Sequence, residues 1–185
     1  MDFAAGMVVF PGGRVDTADQ SGWEYPRELL RSHAESWAHS SISADAALAE
    51  QNAGMVLTAA IREVEEEAGL NIEAGDLRPW ANWITPIDMP KRFDTYFYVA
   101  KPGPEARPRH QTTEAWQSLW MPVAGILEAE AAGQLKLMPP TYFLLKEIAA
   151  FASVEAVWSA EHPVAPVLAP VGSLAAFLKE RENRG

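Results

Sequence analysis

Three glutamates near the middle of the chain have a spacing that could support chemistry. Glu63, Glu66 and Glu67 stand at positions i, i+3 and i+4, so on a helix their side chains lie on one face. Like charges in this arrangement repel each other unless a cation lies among them. Mg²⁺ suits such a place because it takes oxygen ligands from a few carboxylates, waters and substrate phosphates. The alternative is a solvated glutamate-rich helix face, and the spacing alone does not decide between the two.

Features on either side of the acidic run favour the metal site. Gly69 follows the run directly and supplies a stop for the helix. Upstream, residues 10–13 (Phe-Pro-Gly-Gly) form a turn in which Gly12 and Gly13 let the backbone approach a ligand closely. Arg62 precedes Glu66 by four residues, and its guanidinium fork could fix the orientation of one carboxylate.

The elements that must position these residues are short strands interspersed with helices. Hydrophobic spacing and stop residues predict helices over about 24–38, 44–50, 55–68, 123–132, 140–158 and 173–182. Runs of β-branched and aromatic residues predict strands at 7–10, 83–86, 94–100 and 118–121. This order of elements predicts an α/β or α+β sandwich.

Composition narrows the classes of protein and partner. The 185 residues fit one domain, and the 48% hydrophobic content, with seven Trp, can fill a core. The net charge of −10 disfavours nucleic acid as a partner. The chain has no apolar run of about 18 residues, so we expect no membrane partner. A start without a secretory signal and the absence of Cys lead us to expect a cytoplasmic protein.

At this point the residues resemble the Nudix hydrolase family. Its signature runs Gly, five residues, Glu, seven residues, and then Arg-Glu-hydrophobic-any-Glu-Glu-any-Gly-hydrophobic. Residues 62–70 (Arg-Glu-Val-Glu-Glu-Glu-Ala-Gly-Leu) match the second half without a mismatch. Gly13 resembles the opening glycine, and Asp19 stands six residues later, where the family has Glu.

The spacer inside the signature departs from the family pattern. Between Asp19 and Arg62 lie 42 residues instead of seven, an insertion of about 35. A similar insertion is typical of the branch that contains the peroxisomal acyl-coenzyme A diphosphatase. Segments of that branch also resemble residues 83–86 (Trp-Ile-Thr-Pro), 92–95 (Arg-Phe-Asp-Thr) and 138–141 (Met-Pro-Pro-Thr). Of the coenzyme A-specific signature upstream of the turn only Gly6 matches, so the sequence does not support coenzyme A specificity.

The resemblance also implies an organisation for the chain. It implies a Nudix-type α/β/α sandwich with a mixed sheet over residues 1–160, a helical insertion over about 20–54, and a C-terminal extension with a short helix over 161–185. Family members usually have a strand or hairpin before the segment that starts here at Phe3. A mis-set start, a tolerated absence and a second subunit in a homodimer are three explanations for the missing strand.

The activity implied by the family is hydrolysis of a pyrophosphate bond with Mg²⁺ or Mn²⁺. The substrate would be a small nucleoside diphosphate linked to another group, with coenzyme A or acyl-coenzyme A among the candidates. The implied metal ligands are Glu63, Glu66 and Glu67, of which Glu63 is the structural or basic member, and Arg62 orients a carboxylate. The further candidates are Gly12 and Gly13 beside the metal, Glu114 as an added ligand or base, and Arg92 and Phe93 at the substrate.

Three of these further candidates have an ordinary structural alternative. Glu114 could be an exposed loop acid, Arg92 a solvated surface residue, and Phe93 a core aromatic. For the whole chain, the alternative is a catalytically impaired Nudix-fold module that binds a nucleotide or regulates. Asp19 and the missing strand favour that alternative, whereas the intact pair Glu66 and Glu67 argues against it.

Overall fold

A small mixed sheet lies between two groups of helices in the computed structural model, which describes residues 6–109 and 120–182. The helices of these residues are α1 (Arg27–Ser36), α2 (Ala49–Ala68), α3 (Val123–Ala131), α4 (Pro139–Ile148), α5 (Val154–Ser159) and α6 (Ser173–Glu182). The strands are β1 (Leu77–Ile84), β2 (Asp94–Ala100) and β3 (Pro166–Leu168). The predicted α+β architecture is therefore confirmed.

The sheet has the order β2-β1-β3. β1 and β2 pair in antiparallel register from Leu77 opposite Ala100 to Ile84 opposite Asp94, with an irregularity after Pro79. β3 is parallel to β1, with Asn82 opposite Pro166. No strand was predicted for these three residues, because a run so short, which begins with a proline, carries no strand periodicity. β3 comes from the segment that was predicted as a C-terminal extension.

The two faces of the sheet bury different helices. On one face, Trp37 at the end of α1 and Ala53 and Val56 of α2 pack with Tyr96 and Tyr98 of β2. On the other face, a second cluster joins Leu144 of α4 to Trp80 and Ala81 of β1. Burying one large apolar side chain contributes about 1.5–3 kcal/mol, so the first cluster fixes α1 and α2 against the sheet and the second fixes α4 against it.

α2 is a single helix of 20 residues, so the prediction of separate helices over 44–50 and 55–68 is wrong. Residues 44–48 form turns instead, in which Asp45 accepts a hydrogen bond from the backbone of Ala47. The helix continues without a break because Ala53, Val56 and Leu57 are buried at helical spacing. α1 is shorter than predicted and follows Pro26, whose carbonyl accepts from the N–H groups of Leu29 and Leu30.

Two other predicted elements are also corrected. The helix expected over 140–158 is divided into α4 and α5, because the side chain of Ser153 accepts from the backbone of Ala156 and starts a new helix. The strand expected at 7–10 is reduced to one parallel bridge between Val8 and Leu137. The strand expected at 118–121 lies mostly outside the described residues.

None of the helices in the described residues is long and apolar enough to cross a membrane.

Candidate active site

The acidic residues occupy the last two turns of α2. Gly69 ends this helix in the left-handed conformation, with φ 60°, and its N–H donates to the carbonyl of Glu65. The side chain of Glu63 is 13% exposed, whereas that of Glu66 is 55% exposed. The acidic face therefore runs from a sheltered carboxylate to one that is open to solvent.

The double-glycine turn lies directly against this face. The N–H of Gly12 donates to Oε2 of Glu67 at 3.0 Å. A Cβ atom at Gly13 would lie 2.2 Å from Oε1 of Glu63, closer than any real contact. A side chain at position 13 is therefore incompatible with this placement of Glu63, which explains why the turn needs glycine there.

Arg62 is surrounded by acceptors. Its Nε and Nη2 donate to the two carboxylate oxygens of Asp19 at 3.0 and 2.9 Å. Its Nη1 donates to Oε1 of Glu63 at 2.8 Å and to Oε2 of Glu66 at 3.0 Å. The second hydrogen of Nη2 goes to the carbonyl of Arg14 at 2.9 Å. All five donors of the guanidinium are therefore used, and the side chain holds both Glu63 and Glu66.

Asp19 is the partner that fixes the plane of this guanidinium. Its side chain is almost fully buried and also accepts from the backbone N–H of Asp16 at 2.7 Å. The hydrogen bonds from Arg62 hold the pKa of Asp19 below its usual value against the opposing effect of burial. Asp19 in turn raises the pKa of Arg62, so both groups are charged. Asp19 therefore faces Arg62 and not the open side of the acidic face.

Sequence analysis identifies Asp19 only as a position that departs from the signature. It does not predict the ion pair between Asp19 and Arg62. The sequence does contain an indication of this pair, because Asp19 and Arg62 occupy two positions of the same signature. The 42 intervening residues hid that relation.

The predicted substrate residues Arg92 and Phe93 lie in the connection between β1 and β2. Arg92 donates from Nε to the carbonyl of Thr85, and the N–H of Phe93 donates to the Thr85 hydroxyl. This connection follows β1, whereas the carboxyl end of α2 packs near Leu77, the first residue of β1. The structure thus places Arg92 and Phe93 beside Thr85, the residue that follows β1. Glu114 lies outside the described residues.

The carboxylates of the acidic face suit a hard divalent cation. In this structure those of Glu63 and Glu66 accept hydrogen bonds from Arg62. Within residues 6–109 and 120–182, no three acidic or histidine side chains converge in a metal-binding arrangement. The carboxylates nevertheless offer only oxygen donors, which Mg²⁺ and Mn²⁺ accept. Because Gly13 has no Cβ, its backbone can lie directly against the side chain of Glu63. Glu66 is exposed enough to turn away from Arg62.

Comparison with known proteins decides the family. The NUDIX domain matches residues 48–140, about half of the chain. The chain belongs to the Nudix family. The matched range contains all of α2 with β1 and β2, and hence the acidic half of the signature. Gly13 and Asp19 precede it. This Nudix chain is accordingly a pyrophosphohydrolase, an enzyme that acts on a small-molecule substrate.

A solved structure supports the fold of this Nudix enzyme. The crystal structure of a NUDIX hydrolase from Alicyclobacillus acidocaldarius superposes with a TM-score of 0.65 at 22% sequence identity. The match covers 88% of this chain and 85% of that chain. No curated protein matches the chain.

Proposed function

We propose that this Nudix enzyme hydrolyses a pyrophosphate bond in a nucleoside diphosphate linked to another group, with Mg²⁺ or Mn²⁺ held by Glu63, Glu66 and Glu67. The observation that carries the proposal is the acidic face of α2 with the turn at Gly12 and Gly13 pressed against it. When bound, the metal would neutralise the pyrophosphate and make a water a better nucleophile.

The three carboxylates differ in how firmly the chain holds them. Glu67 is held by the N–H of Gly12, and Glu63 is held by Arg62 in a sheltered position. Glu66 is bound to the same nitrogen of Arg62 but is mostly in solvent. Glu66 can therefore leave Arg62 at little cost, because water replaces the lost hydrogen bond. We assign Glu66 and Glu67 as the main ligands and Glu63 as the base or structural member.

Arg62 serves as a positioning residue in this proposal. Its positive charge offsets the repulsion among the carboxylates before a metal arrives. Its bidentate pair with Asp19 keeps Nη1 pointed at Glu63 when Glu66 turns away. Glu63 thus keeps its orientation throughout, as a base or structural member of the site requires.

The test is the Glu66→Gln variant with Glu65→Gln as its matched control. Glu65 is the neighbouring exposed glutamate of the same helix. Both variants and the parent are assayed, with and without Mg²⁺ or Mn²⁺, on coenzyme A, acyl-coenzyme A, ADP-ribose, NADH and dinucleoside polyphosphates. We expect Glu66→Gln to lower kcat by at least about 100-fold, with an unchanged unfolding midpoint, whereas Glu65→Gln keeps parental activity.

Two results would count against the proposal. Parental turnover by Glu66→Gln would show that this carboxylate is not a metal ligand. Turnover of no substrate by the parent, together with tight nucleotide binding, would favour a binding module over the proposed activity.

A further inference from the structure

We propose that Phe10 determines specificity by offering its ring as a stacking surface for a planar, uncharged ring on the substrate, such as a nucleobase. The inference rests on the proposed function, since it concerns the group attached to the pyrophosphate. It adds a substrate contact at a position that carries no charge and no metal-binding atom.

Phe10 lies next to the acidic face. It precedes Gly12 by two residues, and two residues of chain span at most roughly 7 Å. The N–H of Gly12 touches Glu67. A substrate whose phosphates lie along Glu63 and Glu67 would therefore bring its attached group within reach of Phe10.

The ring of Phe10 is held in place but is not covered. It meets the ring of Phe97 on β2 edge to face, with centroids 6.2 Å apart and planes at 77°. Despite this contact, 36% of Phe10 is exposed. The backbone is fixed on both sides, by the bridge at Val8 and by the bond from Gly12 to Glu67. A surface that is already positioned costs little ordering when a ligand binds.

The surroundings of Phe10 are apolar although the site itself is acidic. Val9 and Val15, which flank the turn, are also exposed. In a chain with a net charge of −10, exposed apolar side chains on both sides of a turn that contacts a carboxylate are informative. Such a surface favours an uncharged group and disfavours an anionic one.

A flat ring fits this surface better than a flexible chain does. Phe10 presents an aromatic ring that is 36% exposed and is backed by Phe97, and aromatic rings accept stacking from any nucleobase. The apolar groove that would suit a long chain is lined by Pro86, Met89 and Leu178. It lies beyond the end of β1, because Pro86 and Met89 follow that strand.

The experiment compares Phe10→Leu with Phe143→Leu, which changes a second Phe that is 47% exposed and stacks on Trp83. For a nucleoside diphosphate derivative that the parent hydrolyses, we expect Phe10→Leu to raise KM about ten-fold and to leave kcat within about two-fold. Phe10→Tyr, which keeps the ring, should restore KM. Phe143→Leu should match the parent.

Competing ligands identify what Phe10 recognises. AMP carries a nucleobase, inorganic pyrophosphate carries no attached group, and an alkyl diphosphate carries a flexible chain. We expect Phe10→Leu to weaken inhibition by AMP alone. Equal weakening for AMP and pyrophosphate would overturn the proposal, as would an unchanged KM. A loss confined to the alkyl diphosphate would show that the surface binds a chain and not a ring.

The design separates this inference from the function on which it rests. AMP binding to the Phe10 variants is also measured by calorimetry, which requires no turnover. If Glu66→Gln stays active while Phe10→Leu weakens AMP binding, the metal assignment fails and the stacking surface stands. If Glu66→Gln is inactive and Phe10→Leu binds AMP as the parent does, the stacking surface fails alone.

Discussion

Arg62 uses every hydrogen that its guanidinium can donate, and its acceptors come from three separate parts of the chain. Arg14 belongs to the segment after the glycine turn, Asp19 directly precedes the insertion, and Glu63 and Glu66 belong to α2. A lysine has no planar fork and could not reproduce this pattern. At the scale of single residues, Arg62 therefore joins the three segments of the site through its hydrogen bonds.

Loss of the Asp19 carboxylate should destabilise the protein strongly. In Asp19→Asn the partly buried guanidinium of Arg62 loses a buried, charged partner, and breaking a fully buried ion pair costs about 3–5 kcal/mol. Because Arg62 is partly exposed and keeps Glu63, we expect about 2–3 kcal/mol by urea unfolding at pH 7. The control is Asp16→Asn, whose exposed carboxylate lies 3.9 Å from Nη2 of Arg62.

The control should change the unfolding free energy by less than about 0.5 kcal/mol. Equal effects of the two substitutions would contradict the assigned pairing. The lowered pKa of Asp19 adds a pH signature. Its contribution is present above the unfolded-state pKa of 3.8 and is lost as the pH falls through the lower folded-state pKa.

At the scale of elements, the insertion packs on α2 and the sheet through aromatic side chains. Trp23 lies so close to Gly54 of α2 that a Cβ there would be 2.3 Å from its ring. Its indole N–H donates to the carbonyl of Asp19 at 2.9 Å. Further along, Trp37 meets Tyr98 edge to face, with centroids 5.6 Å apart. The inserted residues therefore form part of the core.

His33 makes this packing sensitive to acid. Burial beneath the sheet lowers its pKa to about 4 from 6.5, although a hydrogen bond with the backbone of Leu77 opposes the shift. Between about pH 6.5 and pH 4, His33 binds a proton in the unfolded chain but not in the folded chain. The free energy of unfolding therefore decreases as the pH is lowered, until about pH 4. Between pH 7 and pH 5 the loss from this residue is about 2 kcal/mol.

The prediction is tested by urea unfolding at pH 7 and pH 5. We expect His33→Gln to lose about 2 kcal/mol less than the parent over this interval. His39→Gln, at an exposed position three residues after α1, should lose as much as the parent. An identical pH dependence in His33→Gln and the parent would show that His33 is not buried as a neutral group.

At the scale of the whole molecule, a buried ion pair ties the last helix to α3. Nε of Arg181 in α6 lies 2.5 Å from Oε1 of Glu130, and both side chains are largely buried. The guanidinium also lies 3.5 Å from the ring centroid of Phe177 and 4.2 Å from that of Tyr142. The segment after residue 160 thus contributes both a strand and a helix to the packing.

Removal of Arg181 should lower the free energy of unfolding. Arg181→Ala leaves Glu130 charged and buried without its partner, so we expect a loss of about 3 kcal/mol in the unfolding free energy. The matched control is Arg27→Ala, which removes an exposed pair with Glu50 at 3.1 Å and should cost less than about 1 kcal/mol. Similar losses in the two variants would mean that Glu130 is solvated.

The sequence predicted the parts of the fold that depend on local pattern. The acidic run, its glycine stop and β2 were predictable, because helix periodicity and β-branched residues act over a few neighbours. The length of α2 was not, because its first turns are stabilised by contacts of Ala53 and Val56 with the distant Tyr96. β3 and the pair between Asp19 and Arg62 likewise depend on contacts between segments far apart in sequence.

The start of the insertion is held at two neighbouring points, by Asp19 on Arg62 and by Trp23 on Gly54. Its later part contains the exposed turn at residues 44–48, directly before α2. Doubling the length of such a loop costs only about 0.6 kcal/mol in closure entropy. Residues 44–48 are therefore a permissive point for evolution or engineering, where a longer loop or a grafted domain can enter while the catalytic geometry is inherited unchanged.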